Sequence, residues 1–376
     1  MDDALYFSEQ HLATRAMVRE FARDEVAPVA AKYDAEAKFP WENIRKMAEL
    51  GLLGVPWPEE LGGAGLDLIS YMIVIHELAK VDASHGLTIS AHTTLGTSPI
   101  VKFGTEAQKQ RYVPLLATGR VMGGFGLTEP EAGSDAGGTR TTAVRKNGCF
   151  VLNGVKRFIT HGGVGEIFTV TAVTDPSKGT KGISSFILTK PTNDPEGAAA
   201  AGVGHDPGLP AMPGFRAGKK EDKLGWRASD TCELIMEDVE VPAENLLGNE
   251  GEGFANFMRT LDNGRIGIAA LSLGIAEGAF EQALHYTSVR KQFGQPVVQF
   301  QGVQFQLSDM ATEIEAGKHL MYHERSGDGQ AVLLRARHAG DHHRGPAPRR
   351  VWLHEGLSGR ALHARCKDLR NRRRNV

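Results

Sequence analysis

Apolar side chains recur at helical spacing from the start of the chain. Ala13, Met17 and Phe21, joined by Val18 and Ala22, follow a capping hydroxyl at Ser8 and run to Pro28. Further helices are expected over 41–50, 67–80 and 106–116, separated by Pro56, Pro58, Gly62 and Gly63. Residues 1–120 therefore read as an all-α domain. From Gly123 the period changes to that of strands, in short runs rich in Thr, Val, Ile and Phe at 167–174, 183–188 and 232–241. Asn147-Gly148 and Asn153-Gly154 read as hairpin turns. Residues 121–242 are thus expected to form a β-barrel or sandwich, with the Ala, Gly and Pro run at 194–213 as a mobile surface excursion. After Pro242 helical spacing returns in Phe300, Val303, Leu307, Met310 and Ile314, which suits a helix bundle over 243–323. The fold class is α+β and multidomain.

The length agrees: 376 residues fit two or three domains. With 41% hydrophobic and 23% charged residues, a globally disordered chain is excluded. Cys149, Cys232 and Cys366 lack metal-type spacing, and their odd number argues against a disulfide framework, which points to a reducing, cytoplasmic setting. No metal is expected. The start MDDALYFSEQ has neither the basic nor the apolar segment of a signal peptide. The most apolar stretch, 266–280, is shorter than the ~18 residues a membrane span requires and contains Glu277.

Charge changes the picture at one end. The net charge is -2, yet residues 324–376 hold twelve Arg and one Lys against five acids, a surplus of eight, leaving -10 for the remainder. This segment has no Ile, Phe or Tyr, and it holds five of the fourteen His. A solvated tail or nucleic-acid arm would show such a block of one sign, but no aromatic stacking pattern accompanies the Arg run, and nucleic-acid binding is not expected. The composition looks instead like a change of reading frame.

The segment FGLTEPEAGSD at 125–135 joins the α and β parts and combines a Thr, acids, glycines and a Ser. Taken alone it is explained as an ordinary polar turn. It is followed in order by KRFITHGG at 156–163, DKLGWRASDT at 222–231, LDNGRIGIAALSLGIA at 261–276 and RKQFGQPVVQFQGVQF at 290–305.

Together these motifs resemble the acyl-CoA dehydrogenase family of flavoproteins, most closely its short-chain, butyryl-CoA-type members, over residues 1–323. The resemblance implies an N-terminal helical, a central β and a C-terminal four-helix domain. It also implies FAD, an acyl-CoA thioester substrate, fatty-acid β-oxidation, an electron-transfer flavoprotein as electron acceptor, and a homotetramer or dimer. It places Phe125, Gly126, Leu127, Thr128, Gly133 and Ser134 along the flavin, with Ser134 also reaching the CoA moiety. Phe158, Ile159 and Thr160 would lie at the ring's aromatic face and reactive edge, and strand core is the bland alternative for Phe158. Asp262, Asn263, Gly264 and Arg265 would meet the pantetheine and adenine end of the thioester, unless Asp262 and Arg265 form a helix-surface ion pair. Arg290 and Gln301 would reach FAD across a subunit boundary, Arg290 by pairing with pyrophosphate; a solvated helix end is the alternative.

One departure bears on catalysis. The family's base is a Glu in a C-terminal GEGT-like motif or immediately before the residue matching Arg265; the first motif does not occur, and Gly264 occupies the second place. No catalytic residue can therefore be named in this frame. Synonymous codons for 352–358, displaced by one nucleotide, spell GYMKDY, and the displaced reading continues PVERYMRDAKICEIGEGT. Residues 328–351 similarly give a helical sequence ending LHGGY. The expectation is a frameshift within 324–327, an out-of-frame tail over 324–376, and impaired activity. The alternatives are an acyl-CoA oxidase or flavin monooxygenase on the same scaffold, or a non-catalytic flavin or acyl-CoA binder.

Overall fold

The computed structural model describes residues 7–323. Seven α-helices build the N-terminal layer: α1 (Glu9–Phe21), α2 (Ala27–Glu36), α3 (Trp41–Glu49), α4 (Leu68–Val81), α5 (Ala83–Ala91), α6 (Ser98–Phe103) and α7 (Glu106–Ala117). Ser8 caps α1 in a reciprocal box, its hydroxyl accepting from the His11 N–H while the His11 ring accepts from the Ser8 N–H. The helix does not stop at Pro28. A π turn over Ala22–Val26 carries the chain into α2, where Pro28 falls in the first turn, the helical position that best tolerates proline. Helix α4 is buried over almost its whole length and forms the centre of this layer.

The central domain contains β1 (Gly123–Gly126), β2 (Thr142–Lys146), β3 (Cys149–Thr160), β4 (Ile167–Val173), β5 (Ile183–Thr189), β6 (Phe215–Lys220), β7 (Thr231–Pro242) and β8 (Leu246–Leu247). The strands run β6-β7-β3-β2-β4-β5-β8, with β1 parallel to β4 beside this path. They do not close into a barrel. β2 and β4 share only the pair Thr142 and Val173, so the sheet folds there, and Phe150, Leu152, Phe168, Phe186, Leu234 and Met236 from both halves meet in one sandwich-like core.

Asn147-Gly148 makes the β2–β3 turn, with φ of 51° and 81°. Asn153-Gly154 does not turn the chain: it is a bulge inside β3, because β7 pairs with residues on both sides of it and the long ladder outweighs a local turn preference. The 194–213 run is packed rather than free. It contains α8 (Pro195–Ala201), whose Ala198 and Ala201 are buried against the helical layer, and Trp41 Nε1 donates to Asp194 Oδ2 at 2.7 Å. Its small residues serve close approach to Trp41, a use that composition alone does not distinguish from flexibility.

The chain then forms α9 (Gly253–Val289), a small hairpin of β9 (Lys291–Gln292) and β10 (Gln295–Pro296), and α10 (Gln301–His323). Leu307, Met310 and Ile314 bury against Leu273 and Ala276 of α9, whereas Phe300 precedes the helix. Helix α9 lies so close to α4 that a Cβ at Gly278 would fall 2.1 Å from the Lys80 carbonyl oxygen, which is why glycine stands within a helix there. Glu277 ties three helices, meeting Lys80 at 3.3 Å and Lys318 at 2.7 Å. Among the described residues no helix is long and apolar enough to cross a membrane, and no His, Cys, Asp or Glu cluster could hold a metal ion. The expected frame change over 324–376, with Cys366, lies outside the described residues.

Candidate active site

Where β1, β3 and α9 meet the helical layer, they enclose a cavity of about 370 Å³. The 125–135 segment supplies Phe125, Leu127, Thr128, Gly133 and Ser134; β3 supplies Phe158, Ile159 and Thr160. These two motifs, about 30 residues apart in sequence, are brought into one wall because β1 runs beside β3 and the Arg157 N–H donates to the Thr128 carbonyl at 2.8 Å. Strand β3 changes register against β7 between Lys156 and Ile159, and Phe158 adopts φ of 57°. That irregularity leaves Lys156 buried inside while the Phe158 ring, 60% exposed, stands at the cavity. The strand-core alternative for Phe158 is therefore excluded.

Gly126 does not line the cavity. It is needed behind it, since a Cβ there would come within 2.7 Å of Val170 Cγ1 and 3.2 Å of Lys156 Cγ. Asp262, Asn263, Gly264 and Arg265 lie on α9 beyond the lining Met258 and Leu261, and Asp262 and Arg265 pair at 3.1 Å along the helix. Arg290 and Gln301 are exposed at the α9 end and the α10 start, and neither lines the cavity. Ala91, Leu95, Gly124, Ala136 and Met258, none of them singled out from sequence, complete the wall with Leu261. Leu261 opens the 261–276 motif and was within reach; Ala91 and Leu95 carry only the signal of ordinary helix core. Leu95 sits in a π turn over His92–Thr97, a distortion common beside functional sites.

No lining residue is charged. Of the acids adjacent in sequence to lining residues, Glu129 is engaged elsewhere: burial raises its pKa, but the Lys156 charge and hydrogen bonds from Lys156, Thr139 and Thr141 prevail and hold it at about 2. Phe125 is backed by Phe257 of α9, with ring centroids 4.0 Å apart and planes 23° off parallel. A larger, more open depression of about 530 Å³, bordered by Glu36, Lys38, Lys220 and Asp230, contains none of the residues expected to contact flavin or thioester.

Two buried histidines brace the strand leading to the cavity. The Gly123 N–H donates to His92 Nδ1 at 3.1 Å, and His161 Nδ1 lies 2.9 Å from the Gly123 carbonyl. Because a carbonyl only accepts, His161 carries its proton on Nδ1; His92 Nε2 donates to the Leu116 carbonyl at 2.8 Å and leaves Nδ1 bare. Burial drives both pKa values below the ordinary 6.5, His92 to about 3 with a further push from His161, and His161 to about 4. The unfolded chain then holds more protons in this window, so the stability of the neutral pair is full above pH 6.5 and is lost as pH falls toward 4. We expect about 1.5 kcal/mol to be lost per histidine between pH 6.5 and 5. Urea unfolding at pH 7 and 5 measures it, and His161→Asn should remove one histidine's share of the difference while that of His92 remains; an unchanged difference would reject the assignment.

The fold and this cavity define a helical layer, a central sheet domain and a second helical region that meet around one uncharged site. Residues 8–120, 124–239 and 251–327 match the N-terminal, middle and C-terminal domains of acyl-CoA dehydrogenase. The chain belongs to the acyl-CoA dehydrogenase family. It is 49% identical over 314 residues to the short-chain-specific acyl-CoA dehydrogenase of Clostridium acetobutylicum, covering 84% of this chain and 77% of that one. Butyryl-CoA dehydrogenase from Megasphaera elsdenii superposes with a TM-score of 0.77 at 42% identity, over 84% of this chain and 79% of that one. A chain in a structure of the electron transferring flavoprotein of Acidaminococcus fermentans, concerned with flavin-based electron bifurcation, superposes with a TM-score of 0.78 at 48% identity, over 84% and 78%.

Proposed function

We propose that this chain holds FAD in the 370 Å³ cavity and is built to convert a short straight-chain acyl-CoA to its trans-2-enoyl product, in the cytoplasm, with an electron-transfer flavoprotein as acceptor. The observation that carries this reading is the convergence of 125–134 and 158–160 on one uncharged wall. A flavin ring suits that wall: Thr128, Ser134 and Thr160 offer neutral hydroxyls to its polar edge, and Phe125 and Phe158 offer apolar surface to its faces. Open space around Gly133 leaves room for backbone approach, since a Cβ there would meet nothing within 4 Å. A flavin held by these residues would supply the acceptor for the hydride that leaves the substrate β carbon.

The chain's own residues shape the remainder. Leu95, Met258 and Leu261 exclude water, which strengthens every hydrogen bond made inside. Hydroxyl and backbone donors aimed at the thioester oxygen stabilise its enolate character as the α proton leaves. Asp262, Asn263 and Arg265 are proposed to meet the CoA end from α9, and Arg290 and Gln301 to reach the FAD of a neighbouring copy in a dimer or tetramer.

The α proton needs a carboxylate base, and among the described residues none lines the cavity. We propose that 324–376 is read out of frame and that the base is spelled in the frame displaced from it by one nucleotide. Two facts support this: the C-terminal family match ends at residue 327, and Glu129 is already fixed by Lys156.

Titration of FAD into this chain and into a frame-restored form, followed by flavin fluorescence, should show saturable binding. The restored form should lose its visible flavin absorption with butyryl-CoA under anaerobic conditions. Absence of bleaching by every straight-chain acyl-CoA from butyryl to octanoyl rejects the function, and fast reaction of the reduced form with oxygen moves it to the oxidase or monooxygenase alternative.

A further inference from the structure

Lys156 is completely buried in β3, two residues before Phe158, and has no role in the chemistry above. Its ammonium donates to Glu129 Oε1 at 2.6 Å, to the Leu127 carbonyl at 3.3 Å, and to the hydroxyls of Thr139 and Thr171 at 3.1 Å each. Glu129 in turn accepts from the Thr139 hydroxyl, from the Arg140 N–H at 2.6 Å and from the Thr141 N–H at 3.2 Å. One ion pair thus holds both ends of a single loop. Leu127 and Glu129 are its beginning, Thr139 to Thr141 its end, and Gly133 and Ser134, which face the cavity, stand between them.

We propose that Lys156 and Glu129 are positioning residues for the flavin: their ion pair closes the 127–141 loop at its base and so fixes where Leu127, Thr128 and Ser134 stand at the cavity. This rests on the reading of the cavity as the FAD site. The physical reason for an ion pair here is reach and direction. The three N–H groups of an ammonium, one of them shared, can reach a carboxylate, a carbonyl and two hydroxyls, and a carboxylate can gather two backbone N–H groups and a hydroxyl, whereas apolar side chains would fill the space without orienting any of them. A buried pair of this kind adds little net stability compared with well-packed apolar replacements, but removal of one partner leaves an uncompensated charge. Stability and positioning can therefore be separated.

The test compares Lys156→Met, Glu129→Gln and the double variant with the unsubstituted chain, both as it stands and with its frame restored. Each single variant should melt at a lower temperature, and the double variant should recover most of that loss. If the pair positions the flavin, the double variant still binds FAD at least tenfold more weakly, with a displaced visible absorption maximum. Without FAD, its Arg140 and Thr141 amides should exchange with solvent at least tenfold faster, while β4 and β5 amides keep their rates. A double variant with FAD affinity within twofold, an unmoved absorption maximum and unchanged loop exchange overturns the proposal. Failure of both unsubstituted forms to bind FAD instead overturns the flavin reading together with the cofactor half of the proposal, and exchange measured without FAD still decides whether the pair anchors the loop.

Discussion

Restoring the displaced frame after residue 327 is expected to raise turnover with butyryl-CoA by about 10² to 10⁴-fold, the usual contribution of a placed general base. The cavity is uncharged, and its neighbouring acid Glu129, at a pKa of about 2 beside Lys156, is both too weak a base and already bonded. A second loss acts in the same direction. Helix α10 buries Leu307, Met310 and Ile314 on α9, but Phe305 and Leu320 stand 60% and 56% exposed, as expected if the proposed displaced frame supplies further helices of the bundle. Flavin content and thermal stability should therefore rise along with turnover. Changing the recovered Glu to Gln separates the causes: flavin content and stability should persist while turnover stays low. Equal turnover in the chain as it stands and the restored form would require a base in the present sequence and would defeat the argument. Sequencing the gene through codons 320–330 tests the premise directly.

The sequence was most informative where one period persisted. The α, β, α order follows from spacing alone, and the 41–50, 67–80 and 106–116 helices appear as α3, α4 and α7 with ends moved by a residue or so. Local signals failed where tertiary context opposed them. Asn153-Gly154 is a bulge because β7 pairs across it, Pro28 is passed because a π turn re-phases the helix before it, and 194–213 is packed because Trp41 receives it. The same limit applies to the site. Phe125, Thr128, Ser134, Phe158 and Thr160 were legible only through the ordered succession of motifs that resembles the family, since 125–135 taken alone reads as a polar turn, and the structure brings them to one cavity. Ala91, Leu95 and Met258 were not, since a helix-core residue and a cavity-wall residue have the same local pattern. Nor did any sequence feature link Lys156 to Glu129, 27 residues away; only the burial of β3 against the loop makes them partners.

Phe257→Ala is expected to destabilise the fold by about 3 to 5 kcal/mol, the range for deleting a buried aromatic ring. Phe257 is completely buried in α9, and its ring lies at 4.0 Å on that of Phe125, so it holds α9 to β1 at the point where both contribute to the cavity. Met258 and Leu261 follow on the same helix, one residue and about one turn further on. Loss of the ring leaves Phe125 free to tilt back into the vacated space and enlarges the cavity from behind. Phe257→Leu should lose much less stability, because most of the volume remains, yet forfeit the stacking contribution of about 0.5 to 1.5 kcal/mol. A double-mutant cycle with Phe125→Leu isolates that coupling, read from urea unfolding. FAD affinity should fall in both Phe257 variants, more for Ala than for Leu, since the wall that faces the ring moves further in the first. A loss below about 1 kcal/mol for Phe257→Ala would mean that the helical layer, and not this aromatic contact, sets the α9–β1 distance.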